Sequence, residues 1–389
     1  MKKITILTAT RAEYGLLLPV IKRLYEISEL EVKIVVTGAH LSPEFGMTIK
    51  EIEADGIQID RKIEMLLSAD TPSAITKSMG LAMISFADYF EESRPDALLV
   101  LGDRYEILAV CCAAMNARIP IFHMYGGDTT EGAVDEVVRH AVTKMSYLHF
   151  TSTDINRNRV IQMGESPDRV FVVGSTGVEN VLNIECYTKK ELENELGFEL
   201  GKKYAVATFH PVTLEQDTAK IQIKELLDAV EKFPEINFLF TKANADVEGR
   251  IINIMISQYA KKSKNIFLVD SLGVRKYFSA IKYATFVIGN SSSGIGEVPS
   301  FGIPTINIGD RQQGRIHGIT VIDCNPIESE IKDAITIAMS EEFNKKIKNT
   351  KNPYGDGNTS SKITKIISEM LLNGNVNIKK KFNDIYFNI

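Results

Sequence analysis

The stretch Ala97-Leu98-Leu99-Val100-Leu101-Gly102-Asp103-Arg104-Tyr105-Glu106-Ile107-Leu108-Ala109-Val110-Cys111-Cys112-Ala113-Ala114-Met115 runs from a continuous apolar segment through a short polar turn into a helical pattern. Five apolar residues bounded by Gly-Asp-Arg read as a strand buried on both faces. A second apolar run, residues 119–123, follows the helix. Strand, helix and strand in that order predict a parallel sheet wrapped by helices. The rhythm extends in both directions. Strands are expected at 4–8, 32–37, 97–101, 119–123, 148–151 and 170–173, with helices at 16–25, 48–54, 105–115, 133–142 and 155–163 between them. Residues 174–187 lose the alternation and are expected to link two domains. The pattern restarts with strands at 204–209, 237–241, 266–269, 285–288 and 305–308, and helices at 221–232, 247–258, 274–281 and 327–338. A last helix is expected at 360–372, followed by a tail, either docked or loose, that carries Lys379-Lys380-Lys381.

The chain is therefore expected to be α/β, with a first domain over 1–175, a second over 188–355, and a C-terminal helix and tail over 356–389. Its 389 residues are long for one core, which agrees with two domains. Hydrophobic content of 44% and charged content of 24% are those of an ordinary soluble globular protein. A net charge of −5 gives no support to nucleic-acid binding, although local basic groups can still hold a phosphate. Residues 1–8 carry too short an apolar run for a signal peptide, and no apolar stretch approaches the ~20 residues of a membrane helix. The four cysteines, Cys111, Cys112, Cys186 and Cys324, show no CxxC spacing. A reducing cytoplasm and no zinc site are expected, and no HExxH-like metal spacing appears.

Three motifs fall where strands are expected to end, which is where open α/β sheets bind ligands. Gly289-Asn290-Ser291-Ser292-Ser293-Gly294 leaves a strand and opens a helix expected at 295–299. Backbone N–H groups at a helix start, serine hydroxyls and close backbone approach at glycine suit a phosphate. Ser and Asn are also favoured helix caps, but an Asn and three serines between glycines favour the anion cradle. Glu297, just inside the expected helix, is placed to take a ribose diol. Arg11, in the first strand-to-helix turn Thr8-Ala9-Thr10-Arg11-Ala12-Glu13-Tyr14-Gly15, and Arg311 and Arg315, after another strand, read either as phosphate contacts or as solvated charges.

The acid/base motifs are Gly102-Asp103-Arg104 and Gly126-Gly127-Asp128-Thr129-Thr130-Glu131-Gly132-Ala133-Val134-Asp135-Glu136. Carboxylates crowded into one cleft raise one another's pKa, which lets a neutral acid and a charged base coexist. The same residues read equally as an N-cap and an acidic first helical turn. His210 ends a strand in the second domain, facing a phosphate or packed at the strand end. His123, His140 and His149 look like packing residues.

Together these motifs resemble the hydrolysing UDP-N-acetylglucosamine 2-epimerases and their sister enzymes acting on UDP-2,4-diacetamido-2,4,6-trideoxyglucose. The similarity extends over nearly the whole chain and includes Thr10–Gly15, Gly38-Ala39-His40-Leu41-Ser42, Leu101–Glu106, the acidic segment through Arg139-His140, and Gly289–Gly294 with Arg311-Gln312-Gln313-Gly314-Arg315. The resemblance implies the GT-B architecture, with two Rossmann-like domains and UDP in the cleft. It implies loss of UDP to a 2-acetamidoglucal, then addition of water to give a manno-configured sugar, with no cofactor. It suggests Asp103, Asp128 and Asp135 as catalytic carboxylates, Glu131 in reserve, and His210 on the phosphate or sugar. Arg11, Arg104, Ser291, Ser292, Ser293, Gly294, Glu297 and Arg311 would hold UDP, and Asn244 the nucleotide half. A homodimer is the family expectation. The chain departs from the pattern at Asp128, where relatives carry Glu after the Gly-Gly pair. Non-hydrolysing 2-epimerases tend to carry Gly-Asp-Thr and Glu-Ala-Gly-Leu-Arg, so Gly102-Asp103-Arg104 and Gly126-Gly127-Asp128 favour release of free sugar. A GT-B glycosyltransferase and a nucleotide-sugar sensor are the remaining alternatives.

Overall fold

The computed structural model describes residues 1–389 apart from 68, 70, 130–133, 213–217, 244–248, 270–271, 375 and 387–389. They form two compact units, Met1–Asn180 with Tyr354–Ile389, and Val181–Pro353.

Among the described residues of the first unit, seven strands form one sheet: β1 Lys2–Thr8, β2 Leu30–Thr37, β3 Ile59–Ile63, β4 Ala97–Leu101, β5 Ile121–Met124, β6 Leu148–Thr151 and β7 Val170–Val172. Their order is β3-β2-β1-β4-β5-β6-β7, and each neighbouring pair is parallel. Successive side chains alternate between faces, so Leu98 and Val100 of β4 enter one core with Phe86 and Phe90. Ala97, Leu99 and Leu101 enter the other. Both faces are covered, which is why β4 is apolar at every position. The core containing Leu99 also takes Ile363 and Ile367 from the helix Thr359–Ser368.

In the second unit the described strands are β8 Tyr204–Thr208, β9 Asn237–Thr241, β10 Ile266–Val269, β11 Phe286–Gly289, β12 Thr305–Ile308 and β13 Val321–Cys324. Their order is β10-β9-β8-β11-β12-β13, again parallel throughout. Each sheet reverses its order beside its first strand, giving a switch point at β1/β4 in one unit and at β8/β11 in the other. Two doubly wound parallel units in one chain constitute the GT-B architecture. No helix among the described residues is long and apolar enough to cross a membrane.

The structure departs from the sequence expectations in places that have local causes. The edge strands β3 and β13 carry polar and exposed positions, so neither shows the apolar run that marks a buried strand. The expected linker contains the helix Thr176–Asn183. It is followed by the helix Lys189–Leu196, started by a capping box between Thr188 and Glu191. The first helix begins at Arg11 rather than residue 16, because Thr10 caps it through the Glu13 N–H.

The described part of the tail is docked on the first unit. Lys380 Nζ donates to Glu165 Oε1 at 2.8 Å and to the carbonyls of Lys144 at 2.9 Å and Ser146 at 2.7 Å. The Asn383 N–H donates to Gly164 O at 2.9 Å. The Phe382 ring lies so close to Gly164 that a Cβ there would come within 2.3 Å of it. Burial alone would raise the Glu165 carboxyl, but hydrogen bonds from His149, Lys144 and Lys380 outweigh burial and hold it at about 2.

Candidate functional site

In the first unit, the ends of β4 and β5 present the acidic motifs. Gly102 adopts φ +85° to turn the chain out of β4. Its carbonyl bonds to His123 Nε2 at 2.8 Å. A carbonyl only accepts, so Nε2 carries the proton, and Nδ1 is left to accept from Thr143 Oγ1 at 3.3 Å. Burial pushes the His123 imidazole down to about 3, which makes it a neutral structural post.

Asp103, next in the chain, accepts at Oδ2 from Arg139 Nε at 2.9 Å and from Arg139 Nη2. Arg139 Nη1 donates to the Asp128 carbonyl at 2.8 Å and to Glu136 Oε2 at 2.8 Å. The Arg139 side chain is only 6% exposed. Beyond β5, Tyr125 holds a left-handed φ of +68°, an uncommon backbone for an aromatic residue. Its hydroxyl accepts from the Thr176 N–H at 2.8 Å. Gly127 is at φ +83°, and a Cβ there would meet Asn156 O at 2.3 Å. The glycine pair thus lets Asp128 approach Asn156, whose Nδ2 donates to Asp128 Oδ1.

Asp103 and the Asp128 turn are therefore drawn onto one guanidinium. Asp135 is exposed in the first turn of the helix Val134–Met145, four residues before Arg139 and so on its side of the helix. Glu131 lies outside the described residues.

Arg104 forks onto Glu106, Nε to Oε2 at 3.1 Å and Nη2 to Oε1 at 3.0 Å. Glu106 is buried while Arg104 stays 44% exposed. Arg11 is the first residue of its helix, exposed, and paired through Nε with Glu51 Oε2 at 3.1 Å. Glu13 is a group that the sequence did not single out. It is buried, accepts the Ala9 N–H at Oε2 over 2.9 Å, and leaves Oε1 without a partner. The Thr10-x-x-Glu13 capping spacing was the available signal.

Burial, with a smaller push from Glu106, raises the Glu13 carboxyl from 4.5 to about 7, against the pull of the Ala9 N–H and Arg104. A raised folded value means that the native state binds this proton more tightly than the unfolded chain. Its contribution to stability is full below the unfolded value of 4.5 and is lost as pH rises through about 7. Glu13→Gln, which stays neutral, should gain on the native protein by up to about 3 kcal/mol between about pH 5 and about pH 8. Urea unfolding of both proteins at the two pH values checks this. An unchanged difference would refute it.

In the second unit, β8 and β11 end side by side. Gly289 has φ +135°, and a Cβ there would lie 1.9 Å from Thr208 O, so only glycine fits. Asn290 is buried and clamps the neighbouring strand end. Its Oδ1 accepts the His210 N–H at 2.7 Å and its Nδ2 donates to His210 O at 2.8 Å. The Asn290 carbonyl accepts from Arg311 Nη1 at 3.0 Å and Gln312 Nε2 at 2.9 Å. The Ser291 hydroxyl caps the helix Ser292–Gly296 by accepting the Ser293 N–H. Gly294 is buried, and a Cβ would come 2.9 Å from Thr305 Cγ2, so packing against β12 already requires a glycine there.

The helix expected at 295–299 is thus five residues starting at Ser292, and Glu297 is its C-cap rather than a residue of its first turn. So short a helix carries little macrodipole, and any anion affinity rests on the hydroxyls and cations around it. A cavity of about 530 Å³ opens here, lined among others by His210, Lys242, Tyr277, Phe278, Ser292 and Glu297. The Ser293 hydroxyl is buried beside the Tyr277 hydroxyl and the Glu297 carboxyl. Glu297 is enclosed on most sides, and burial raises its carboxyl to about 7 despite Ser293 and Arg315. Asn244 lies outside the described residues.

The family model described as UDP-N-acetylglucosamine 2-epimerase matches residues 22–368. A Campylobacter jejuni protein named GDP/UDP-N,N'-diacetylbacillosamine 2-epimerase (hydrolyzing) is 44% identical, covering 85% of each chain. The Escherichia coli polysialic acid biosynthesis protein P7 is 40% identical, covering 99% of this chain and 97% of that protein. Among solved structures, the Neisseria meningitidis UDP-GlcNAc 2-epimerase bound to UDP-GlcNAc superposes with a TM-score of 0.76 at 22% identity, over 96% of this chain and all of that one. At that identity the likeness speaks for the fold.

Proposed function

Because the chain belongs to the UDP-N-acetylglucosamine 2-epimerase family, we propose that it is a hydrolysing 2-epimerase that converts UDP-N-acetylglucosamine and water to UDP and N-acetylmannosamine, feeding synthesis of sialic-acid-type sugars. The observation that carries this is the pair of carboxylate-bearing turns held on Arg139. A glycosyltransferase or a sensor would have no need of them.

The chemistry follows from where charge develops. The C2 proton is not alpha to a carbonyl and is not acidic in the ground state. As the C1–O bond breaks, its electron pair leaves with UDP and oxocarbenium character builds at C1, which acidifies C2. One carboxylate takes the C2 proton, and the C–H pair forms the C1=C2 bond of the glucal. Water then adds across that bond, its oxygen to C1 and its released proton to a carboxylate, while a carboxylic acid returns a proton to the opposite face of C2. Asp103, Asp128 and Asp135 are the proposed proton carriers, with Glu131 in reserve. The pocket of the second unit, with His210, Ser291, Ser292 and Ser293, is proposed to hold the departing diphosphate together with Arg311, which is bonded to Asn290 O, where stabilising developing charge lowers the barrier most. Glu297 and Asn244 are assigned to the nucleoside side, and Arg11 and Arg104 to further phosphate contacts.

A second substrate, UDP-2,4-diacetamido-2,4,6-trideoxyglucose, is favoured by the name of the Campylobacter relative. The same atoms react, and only the C4 and C6 substituents differ. An NMR time course in D₂O with each donor tests both. The expected products are UDP and a manno sugar deuterated at C2, formed faster from the true substrate. UDP with an undeuterated gluco sugar would mean simple hydrolysis and overturn the proposal.

A further inference from the structure

Resting on the 2-epimerase reading, we infer that Arg139 is a positioning residue that fixes Asp103 against the Asp128 turn and leaves Asp103 Oδ1 as the oxygen that meets the sugar. Three separate pieces of chain converge on its guanidinium. Asp103 follows β4, Asp128 follows β5, and Glu136 precedes Arg139 by one helical turn. β4 and β5 are adjacent and in register, with Leu101 opposite Met124, so both turns leave the sheet at one level.

The planar fork divides its donors between these pieces. Nε and Nη2 both go to Asp103 Oδ2, while Nη1 serves the Asp128 carbonyl and Glu136 Oε2. Such a fork has fixed directions, so the two turns cannot move independently while it is in place. Oδ2 of Asp103 is thereby saturated. Oδ1 has no partner among the described residues, and the Asp103 side chain is 26% exposed although Arg139 is only 6% exposed. The reactive edge of the carboxylate thus faces outward and the anchored edge inward. Arg139 itself is too buried to be a surface contact for the substrate, so it acts through Asp103.

Arg139→Lys keeps the charge but replaces the fork by one nitrogen, which cannot serve both turns. A loss of register of about 1 Å at reacting groups is enough for a fall in kcat of about 100-fold. That fall is expected with the KM of the donor sugar and the Kd of UDP within about threefold of the parent. Release of free 2-acetamidoglucal is also expected, because rehydration needs the second carboxylate in register with the first. A kcat within about threefold of the parent would overturn the inference. So would a KM or a UDP Kd that rises along with the fall in kcat, since Arg139 would then be touching the substrate directly.

Thermal unfolding is measured alongside, and a second variant covers the case in which the lysine protein folds poorly. In an Asp103→Asn background, where the charge on Asp103 is gone, adding Arg139→Lys is expected to change residual UDP release by less than about threefold. A further fall of about tenfold or more would show that Arg139 acts apart from Asp103 and would sink the idea. The unsubstituted protein in the same assay separates the two levels of failure. If it releases no UDP from either donor, the epimerase reading falls and takes this inference with it. If it turns over and Arg139→Lys keeps pace, only the inference falls.

Discussion

Asp103→Asn is expected to lower kcat for UDP release by about 10²–10⁴-fold while UDP binding stays within about twofold. The range is that of removing one positioned general acid or base. The substitution is nearly isosteric, so the loss is one of proton transfer rather than shape. Arg139 would still find an oxygen or a nitrogen at Asp103, but an amide nitrogen placed at Oδ2 would present donor to donor. The amide therefore settles with its oxygen on Arg139 and its NH₂ outward, where the carboxylate Oδ1 had been. A donor then stands where an acceptor is required. Steady-state kinetics with calorimetric titration of UDP separates the two effects. Full activity in the variant would remove Asp103 from the mechanism, and a parallel loss of UDP affinity would make it a binding residue instead.

Gly289→Ala is expected to destabilise the protein by about 3–5 kcal/mol, from backbone strain at φ +135° together with overpacking against Thr208. The clash is with a carbonyl of the neighbouring strand, which no rotamer change relieves. β11 must move away from β8, and the Asn290 clamp on His210 opens with it. UDP affinity should fall by at least about tenfold, because the pocket is built on those two strand ends. Gly296→Ala is the matched control. No atom lies within 4 Å of a Cβ at Gly296, and a change within about 0.5 kcal/mol is expected. Urea titration compares the two. A Gly289→Ala midpoint equal to that of Gly296→Ala would show that the strand ends can separate at no cost.

The buried centre of each sheet was legible in the sequence because parallel strands covered on both faces are uninterrupted apolar runs. Residues 97–101, 148–151, 237–241 and 305–308 coincide with β4, β6, β9 and β12, and the apolar run 266–269 coincides with β10 at the edge of the second sheet. β3 was not legible, since Asp60, Arg61 and Lys62 interrupt it and face solvent. The helix Lys189–Leu196 was missed although Thr188 and Glu191 spelled out its cap. The positions of Asp103 and Asp128 followed from strand ends alone. The inward turn of Arg139 did not, because helical periodicity treats an arginine as a surface residue. What reverses that expectation is a set of acceptors from β4 and β5 that are distant in sequence. Glu13 was hidden for a similar reason, as the charges that act on it, Glu106 and Arg104, lie nearly a hundred residues away in sequence. The start of the helix at Ser292 was misjudged because serines were weighed as ligand groups before they were weighed as caps.

The helix Thr359–Ser368 completes the core of the first unit, yet it is encoded after the whole of the second. A ribosome adding about 5–20 residues per second needs about 10–40 s to travel from the end of the first segment to this helix. Through that interval the nascent first sheet exists without Ile363 and Ile367 over one face, while the second unit emerges with every segment of its own already made. The later-encoded unit can therefore mature first. Exposed apolar surface on the waiting one makes it the natural client of a chaperone during synthesis.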